Sequence, residues 1–451
     1  MILDLHADSH IKPSAVALLP LICFLTLFIG TGVYFQSKGV EFAFYQLSSV
    51  VAILPCIILA ILLSEEPLTK ALAQFIDGIG NNNIITMCLI YLLAGAFAAV
   101  AKATGGVEAT VALGLNYIPG SFLVPGFFII TAFIATAMGT SMGTLAAISP
   151  VAVGITQTAG IDPSLMAGAI LSGALFGDNL SIISDTTIAS TRTQGCEMSD
   201  KFKENLIYAI PSALIAILFF SAANNETVSL SEQQYDIISV IPYLIILILA
   251  ISGLNVFVVL TFGILIASGI GIYMDTYTFM LMAEDIYSGF VNMQEIFLLS
   301  MLIGGLAALM YKQGGLAYIS QHIENIIILV GKKNENIKVR AAEAGIGFTA
   351  SLTNLCIANN TVAILISSGV AKALAKEHNI PAKRSASILD IFTCIIQGII
   401  PYGAQALLVS AAFEITPLES VSYVWYCMIL SIITLLFIFT RKRDANLIIN
   451  N

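Results

Sequence analysis

Apolar stretches close to 20 residues long follow one another along most of the chain, and they constrain its fold more than any other feature. A helix needs about 20 such residues to cross a hydrocarbon core roughly 30 Å thick. Across 451 residues, 58% are hydrophobic and only 10% are charged, whereas soluble domains carry about 25% charged residues. The sequence therefore reads as an all-α polytopic membrane protein. Spans are expected near 14–33, 40–63, 84–103, 164–191, 204–221, 237–253, 256–274, 294–311, 385–412 and 421–440. The first of them reads as a retained helix rather than a signal peptide.

Composition also narrows the chemistry. A net charge of −9, with no basic patch interleaved with aromatics, gives no support to a nucleic-acid partner. The seven cysteines fall mostly in apolar runs and form no CxxC pair, so they read as small buried hydrophobes. The four histidines fall at expected span ends or loops. Neither a histidine metal site nor a histidine proton relay is expected, and no cofactor is implied.

Two segments, 124–157 and 343–376, differ from the rest, each being two apolar arms around a polar middle. The arm from Val124 to Met138 has 15 residues, about 22 Å at 1.5 Å per residue, which is short for a span. Each pair reads better as a re-entrant hairpin, a backbone tolerated at membrane depth where protein buries it or water reaches it. The cations agree with this. Arg192, Lys201 and Lys203 form one cluster. Lys332, Lys333, Lys338, Arg340, Lys372, Lys376, Lys383 and Arg384 flank the second hairpin, and Arg441, Lys442 and Arg443 close the chain. Placing every cluster on the cytoplasmic side gives ten spans, both termini inside, a first hairpin opening outward and a second opening inward.

The halves also resemble each other. At an offset of 210, Leu92, Gly95, Ala98, Lys102 and Gly105 meet Leu302, Gly305, Ala308, Lys312 and Gly315. Each match is followed by an amphipathic stretch, a hairpin and a span interrupted by polar residues. The expected architecture is about ten transmembrane helices plus two re-entrant hairpins in two inverted repeats. Residues 1–221 hold hairpin 124–157 and interrupted span 164–191; residues 222–451 hold hairpin 343–376 and interrupted span 385–412. Inverted repeats with paired interrupted helices point to a secondary transporter with its site near the bilayer midplane.

Four polar breaks define that site. They are the first hairpin tip with Thr140, Ser141 and Thr144; the first interrupted span at Asp178, Asn179, Leu180 and Ser181; the second tip from Thr353 and Asn354 through Asn359, Asn360 and Thr361; and the second interrupted span around Gln397 to Gln405. Helices that end at mid-membrane leave carbonyls free for a cation and N–H groups free for an anion. Hydroxyl, amide and carboxylate oxygens are hard donors that suit Na+. Asp178 is the first candidate for the coupling carboxylate, with Asn179 and Ser181 beside it as Na+ ligands. No Lys or Arg occurs between Ala103 and Thr191, and an intramembrane acid is a functional candidate by default. One carboxylate can take Na+ and H+ in turn, so loading either expels the other.

Asp185, in Ser184-Asp-Thr186, is either a ligand or the N-cap of the second half-helix. Asp390 shares a helix face with Cys394 and Gln397 and is either a second proton carrier or a structurally paired acid. Lys102 and Lys312 read as interfacial residues that snorkel, Glu343 as a solvated acid, and Pro401 as a helix breaker.

The motif from Phe176 through Gly177, Asp178, Asn179, Ser181, Ser184, Asp185 and Thr186 to Ser190, with its tail to Cys196 and Gly139 to Thr144 upstream, resembles the NhaC-type sodium/proton antiporter family of bacterial membranes. The family pattern generally has proline after the first serine, where this chain has Ile182, so its bend is expected to be less rigid. The resemblance implies an elevator-like transporter of the cytoplasmic membrane, often a homodimer, whose hairpins and interrupted helices move past a scaffold. Family members exchange Na+ for H+, or couple ions to small carboxylates or amino acids. Besides membrane lipid, the implied partners are thus the transported ions or a small organic substrate. A membrane-embedded aspartyl protease using Asp178 and Asp390 is a remote alternative. The Tyr-Asp and Gly-x-Gly-Asp contexts of such enzymes are absent, and the paired hairpins would have no role.

Overall fold

The structure is a computed structural model and describes residues 12–40, 46–117, 119–182, 184–223, 237–252, 254–319, 321–322 and 335–440. The expected cations Lys332, Lys333, Arg441, Lys442 and Arg443 lie outside these residues. The described elements are helices, as a chain in lipid requires, because a helix satisfies its own backbone groups. Among the described residues, eight helical stretches are long and apolar enough to cross a membrane. Among the ten expected spans, Ser49–Leu62, Ile237–Ile251 and Trp425–Thr440 are shorter, at 14, 15 and 16 residues.

Both polar-centred segments form helical hairpins. The first has arms Leu123–Met138 and Ser141–Ala159; the second has arms Glu335–Ile357 and Asn360–Glu377. Both run beyond their expected bounds. A 3-10 turn at Gly120–Phe122 extends the first arm to 19 residues, Gly120–Met138. That is long enough to cross, so the short-arm argument for re-entry does not hold. The sequence estimate began the arm at Val124 and missed the helical turn before it.

Each interrupted span is a broken helix. Pro163–Leu180 and Asp185–Gln194 are parted by residues 181–184, and Ala382–Ile399 and Ala404–Phe413 by residues 400–403. The halves have 18 and 10 residues in both cases. The second break follows from Pro401, which cannot continue the hydrogen-bond ladder. The first has no proline. Ser181 is extended (ψ 136°), and Ser184 caps the next helix by accepting the Thr187 N–H at 3.2 Å. The Thr187 hydroxyl also donates to the Ser181 carbonyl at 2.7 Å, across the gap.

Left-handed residues mark the same places in both halves. Gly139, Gly160 and Gly195 have φ of 69°, 68° and 81°. Ala358, Asn379 and Glu414, each 219 positions later, have φ of 54°, 52° and 55°. Packing repeats with the sizes exchanged: Gly173 lies against the Phe128 backbone, while Phe392, 219 positions after Gly173, fills the space over Gly347. Upstream the register differs. The left-handed Gly105 and Gly314 end their helices 209 positions apart, so Lys102 matches Tyr311 rather than Lys312. The offset of 210 is one residue out, because small apolar residues recur often enough in spans to align in either register.

The second arm of each hairpin packs against the short half-helix of the other half's broken span. Helices Met198–Ala223 and Trp425–Thr440 pack on the broken spans. Helices Ser49–Leu62, Leu68–Ile79, Asn82–Ala103, Val256–Tyr273, Phe279–Asn292 and Gln294–Lys312 pack mainly on one another and form a separate layer beside this core.

Candidate functional site

The first hairpin turns at Gly139, and Thr140 caps the second arm, its hydroxyl accepting the Gly143 N–H. Ser141 therefore begins a helix with its N–H unpaired within the turn, and it donates that N–H to Asp178 Oδ1 at 2.9 Å. The helix start favours negative charge here. Asp178 is 5% exposed, and Ser141 and Thr144 are buried beside it. The Thr144 hydroxyl is turned back to the Thr140 carbonyl, 2.9 Å away.

The sequence placed the break at Asp178–Ser181. It lies three residues later, and Asp178 sits in the last turn of the first half-helix. Its backbone carbonyl accepts from the Ser184 hydroxyl at 3.3 Å, and Ser184 also lies 3.2 Å from Thr186 Oγ1. Ser184, not Asp185, is the N-cap; its hydroxyl is the one aligned with the Thr187 N–H, while Asp185 at the first helical position is exposed.

Asn179, one residue on, faces another way, as the 3.6-residue helical turn requires. Its amide oxygen accepts from Tyr426 at 2.8 Å, and its amide nitrogen donates to Asp390 Oδ2 at 3.3 Å. The structure thus brings Asn179 to Asp390 and separates it from the hairpin tip.

At the second tip, Asn359 caps its helix by accepting the Val362 N–H at 3.0 Å, as Thr140 does in the first. Asn360 Oδ1 accepts from Asn354, which also donates to the Thr393 carbonyl at 2.8 Å. Thr361 is half-buried beside them. Gln397, 219 positions after Asp178, donates to the Ala358 carbonyl at the tip (3.2 Å) and to Gln405 Oε1 (2.7 Å). Gln405 in turn donates to Ser141 Oγ at 3.0 Å. A line of polar groups therefore joins the two tips, running from Ala358 through Gln397 and Gln405 to Ser141, whose N–H holds Asp178.

Behind Asp178 lies an arrangement that the sequence reading missed. Lys201 and Asp390 form an ion pair at 2.7 Å with both side chains 0% exposed. Asp390 Oδ2 also accepts from Asn205 at 2.8 Å, and Ser387 donates to Asn205 Oδ1 at 2.6 Å. Asp390 is thus a paired acid. Arg384 is likewise buried, with Nη1 2.9 Å from Glu204 and Nη2 3.1 Å from Glu343. Neither Lys201 nor Arg384 is a loop cation, and Glu343 is ion-paired rather than solvated. The available signal was spacing: Lys201, Asn205, Tyr208 and Ser212 repeat at three to four residues along one face of an apolar helix.

A cavity of about 340 Å³ opens where the first hairpin's second arm meets helix Asn82–Ala103 and the end of the second broken span. Lys102, Glu108, Gln157 and Glu414 line it, together with Ala146 and Leu408. Leu408 is one turn from Gln405. At the second break, the Tyr91 hydroxyl donates to the Ala404 carbonyl at 3.2 Å and meets Ser300 at 3.2 Å.

Residues 4–224 match the Na+/H+ antiporter family. The chain is 25% identical to the Na(+)/H(+) antiporter NhaC of Bacillus subtilis, over 81% of this chain and 86% of that protein. It is 23% identical to NhaC of Alkalihalophilus pseudofirmus, over 81% of this chain and 84% of that one. A shorter stretch is 32% identical to the malate-2H(+)/Na(+)-lactate antiporter of Bacillus subtilis, over 32% of this chain and 30% of that protein.

Proposed function

We propose that this chain, a member of the Na+/H+ antiporter family, is a secondary transporter that exchanges Na+ for H+ at Asp178 by alternating access. The observation that carries the reading is the position of Asp178, a buried carboxylate in the last turn of a half-helix, held by the first N–H of the helix that follows a hairpin tip. An unneutralised carboxylate is costly at membrane depth, so the group holds either a proton or a cation. Na+ would take Asp178 Oδ2, the Ser181 and Ser184 side-chain oxygens and Ser141 Oγ as hard donors. A proton arriving on Asp178 removes the charge that holds Na+, which is what couples the two fluxes.

The matching left-handed residues and half-helix lengths favour two repeats, and an odd number of spans in each would invert them. On that reading both hairpins re-enter, both termini are cytoplasmic, and the cavity beside Lys102 opens to the outside of a bacterial cytoplasmic membrane. The core of hairpins and broken spans would then slide against the layer that carries Tyr91.

A second reading keeps the machine and changes the cargo to a small carboxylate exchanged with Na+ or H+. The local similarity to a malate/lactate antiporter and the size of the cavity favour it. Proteoliposomes carrying a pH dye, given outward gradients of Na+, Li+ or K+, and separately labelled malate or lactate, distinguish the two. Proton movement driven by Na+ without any carboxylate is expected. Proton movement that requires the carboxylate would transfer the function to the second reading.

A further inference from the structure

We infer that the Lys201 ammonium is a resident cation. It fills a second cation position at the first break, so that the core takes one transported cation, at Asp178. The inference rests on the reading of Asp178 given above.

The surroundings of Lys201 Nζ are those of a bound metal ion. Three oxygens meet it: Asp390 Oδ2 at 2.7 Å, Thr187 Oγ1 at 2.7 Å and the Asn179 carbonyl at 3.2 Å. They come from the last turn of one half-helix, the first turn of the next and the facing broken span. A carboxylate, a hydroxyl and a carbonyl are the hard donors that Na+ selects, and the end of a half-helix carries partial negative charge. Asp390 Oδ1 is buried and without a hydrogen-bond partner. An ammonium has only three N–H directions, whereas a bare ion, which has no fixed donor directions, could take both carboxylate oxygens.

Comparison of the two breaks sharpens the point. The residue 219 positions after Lys201 is Ser420, and its hydroxyl donates to the Ala406 carbonyl at 3.4 Å. Ala406 is itself 219 positions after Thr187. The same two places are thus in contact in both halves, through a neutral hydroxyl in the second and an ammonium beside a carboxylate in the first. The ammonium neutralises Asp390 and leaves Asp178 as the uncompensated acid of this pocket.

Removing the ammonium while keeping its three oxygens should open the second position to Na+. The test is binding of radioactive Na+ to purified protein in lipid nanodiscs, with choline replacing Na+ at constant ionic strength, together with the thermal midpoint as Na+ is raised. About one Na+ per chain is expected for the parent and about two for Lys201→Ala, with a midpoint that climbs more steeply with Na+. Lys201→Ala/Asp390→Asn, which lacks the carboxylate as well, should return to about one.

If Lys201→Ala binds no additional Na+, or stays unfolded at every Na+ concentration while Lys201→Met/Asp390→Leu folds, Na+ does not replace the ammonium and the inference fails. The underlying reading is judged separately. Asp178→Asn should lose the parent's Na+, and Asp178→Asn/Lys201→Ala should still gain one. Retention of Na+ by Asp178→Asn would overturn the role of Asp178 and leave the gain at Lys201 to stand or fall alone.

Discussion

Asp178 and Asn179 are neighbours in sequence, yet they serve different networks because successive residues on a helix point about 100° apart. Asp178 meets a hairpin tip, and Asn179 meets Tyr426 and Asp390. The Lys201–Asp390 pair is fully buried, and removing one partner of such a pair typically costs about 3–5 kcal/mol, because the other charge is left uncompensated. Asp390→Asn should therefore lower the thermal midpoint strongly, and Lys201→Met/Asp390→Leu should recover most of the loss. Equal midpoints for Asp390→Asn and the parent would show that the pair adds nothing. Asp178 was legible in the sequence because no cation lies near it along the chain. Lys201 was not, because its neighbours Arg192 and Lys203 made it look like part of a loop. Only the fold brings Asp390, 189 positions away, to its side.

At the scale of elements, the breaks are made by different means. Pro401 makes the second break, after Ala382–Ile399, while the first break relies on Ser184 as cap and on Thr187 bonding across the gap. Ser184→Ala should cost about 1 kcal/mol, the usual worth of an N-cap, read as a lower midpoint; an unchanged midpoint would show that the break does not depend on its cap. The first hairpin lies so close to its broken span that a methyl added at Gly177 would fall on Ala135. Gly177→Ala should destabilise by about 1–3 kcal/mol through overpacking and move the Ser141–Asp178 contact, so Na+ should bind more weakly; unaltered stability and binding would contradict this packing. Hairpins and broken spans were readable as apolar arms around polar centres. The position of the first break was not. Polar side chains mark where the chemistry lies, and the backbone opens three residues later, where Ser181 turns extended after its own N–H has closed the last helical bond to Gly177. The same limit explains why the sequence left Asp185 as ligand or cap and did not single out Ser184, which is the cap.

Across the whole molecule, glycines set the cross-connections. Gly78 on Leu68–Ile79 packs against Gly304, Gly305 and Ala308, and Gly289 on Phe279–Asn292 against Gly95. Small residues let helices approach closely in a membrane, where no hydrophobic force drives them together. Each half thus contributes a short helix to the other half's spanning helix, which ties this layer together. Tyr91 links this layer to the second break through Ala404. If the core slides past the scaffold, that contact breaks in every cycle. In a background without the native cysteines, Tyr91→Cys/Ala404→Cys joined by a short reducible cross-linker should stop exchange, and reduction should restore it; undiminished exchange by the cross-linked protein would exclude sliding at this contact. The overall class, an all-helical membrane protein, was legible from apolar length alone. The exchange of short helices was not, because it rests on glycine contacts that the sequence does not pair.

The central claim, that one carboxylate alternates between Na+ and H+, is tested most directly by Na+-driven proton movement in proteoliposomes at a series of pH values, parent against Asp178→Asn. For the parent, the Na+ concentration for half-maximal exchange should rise as pH falls, because protons compete for the group that holds Na+. Asp178→Asn, which can take neither ion, should show no Na+-driven proton movement at any pH while remaining folded and inserted. Exchange by Asp178→Asn at the parental rate, or a half-maximal Na+ concentration independent of pH, would contradict the account.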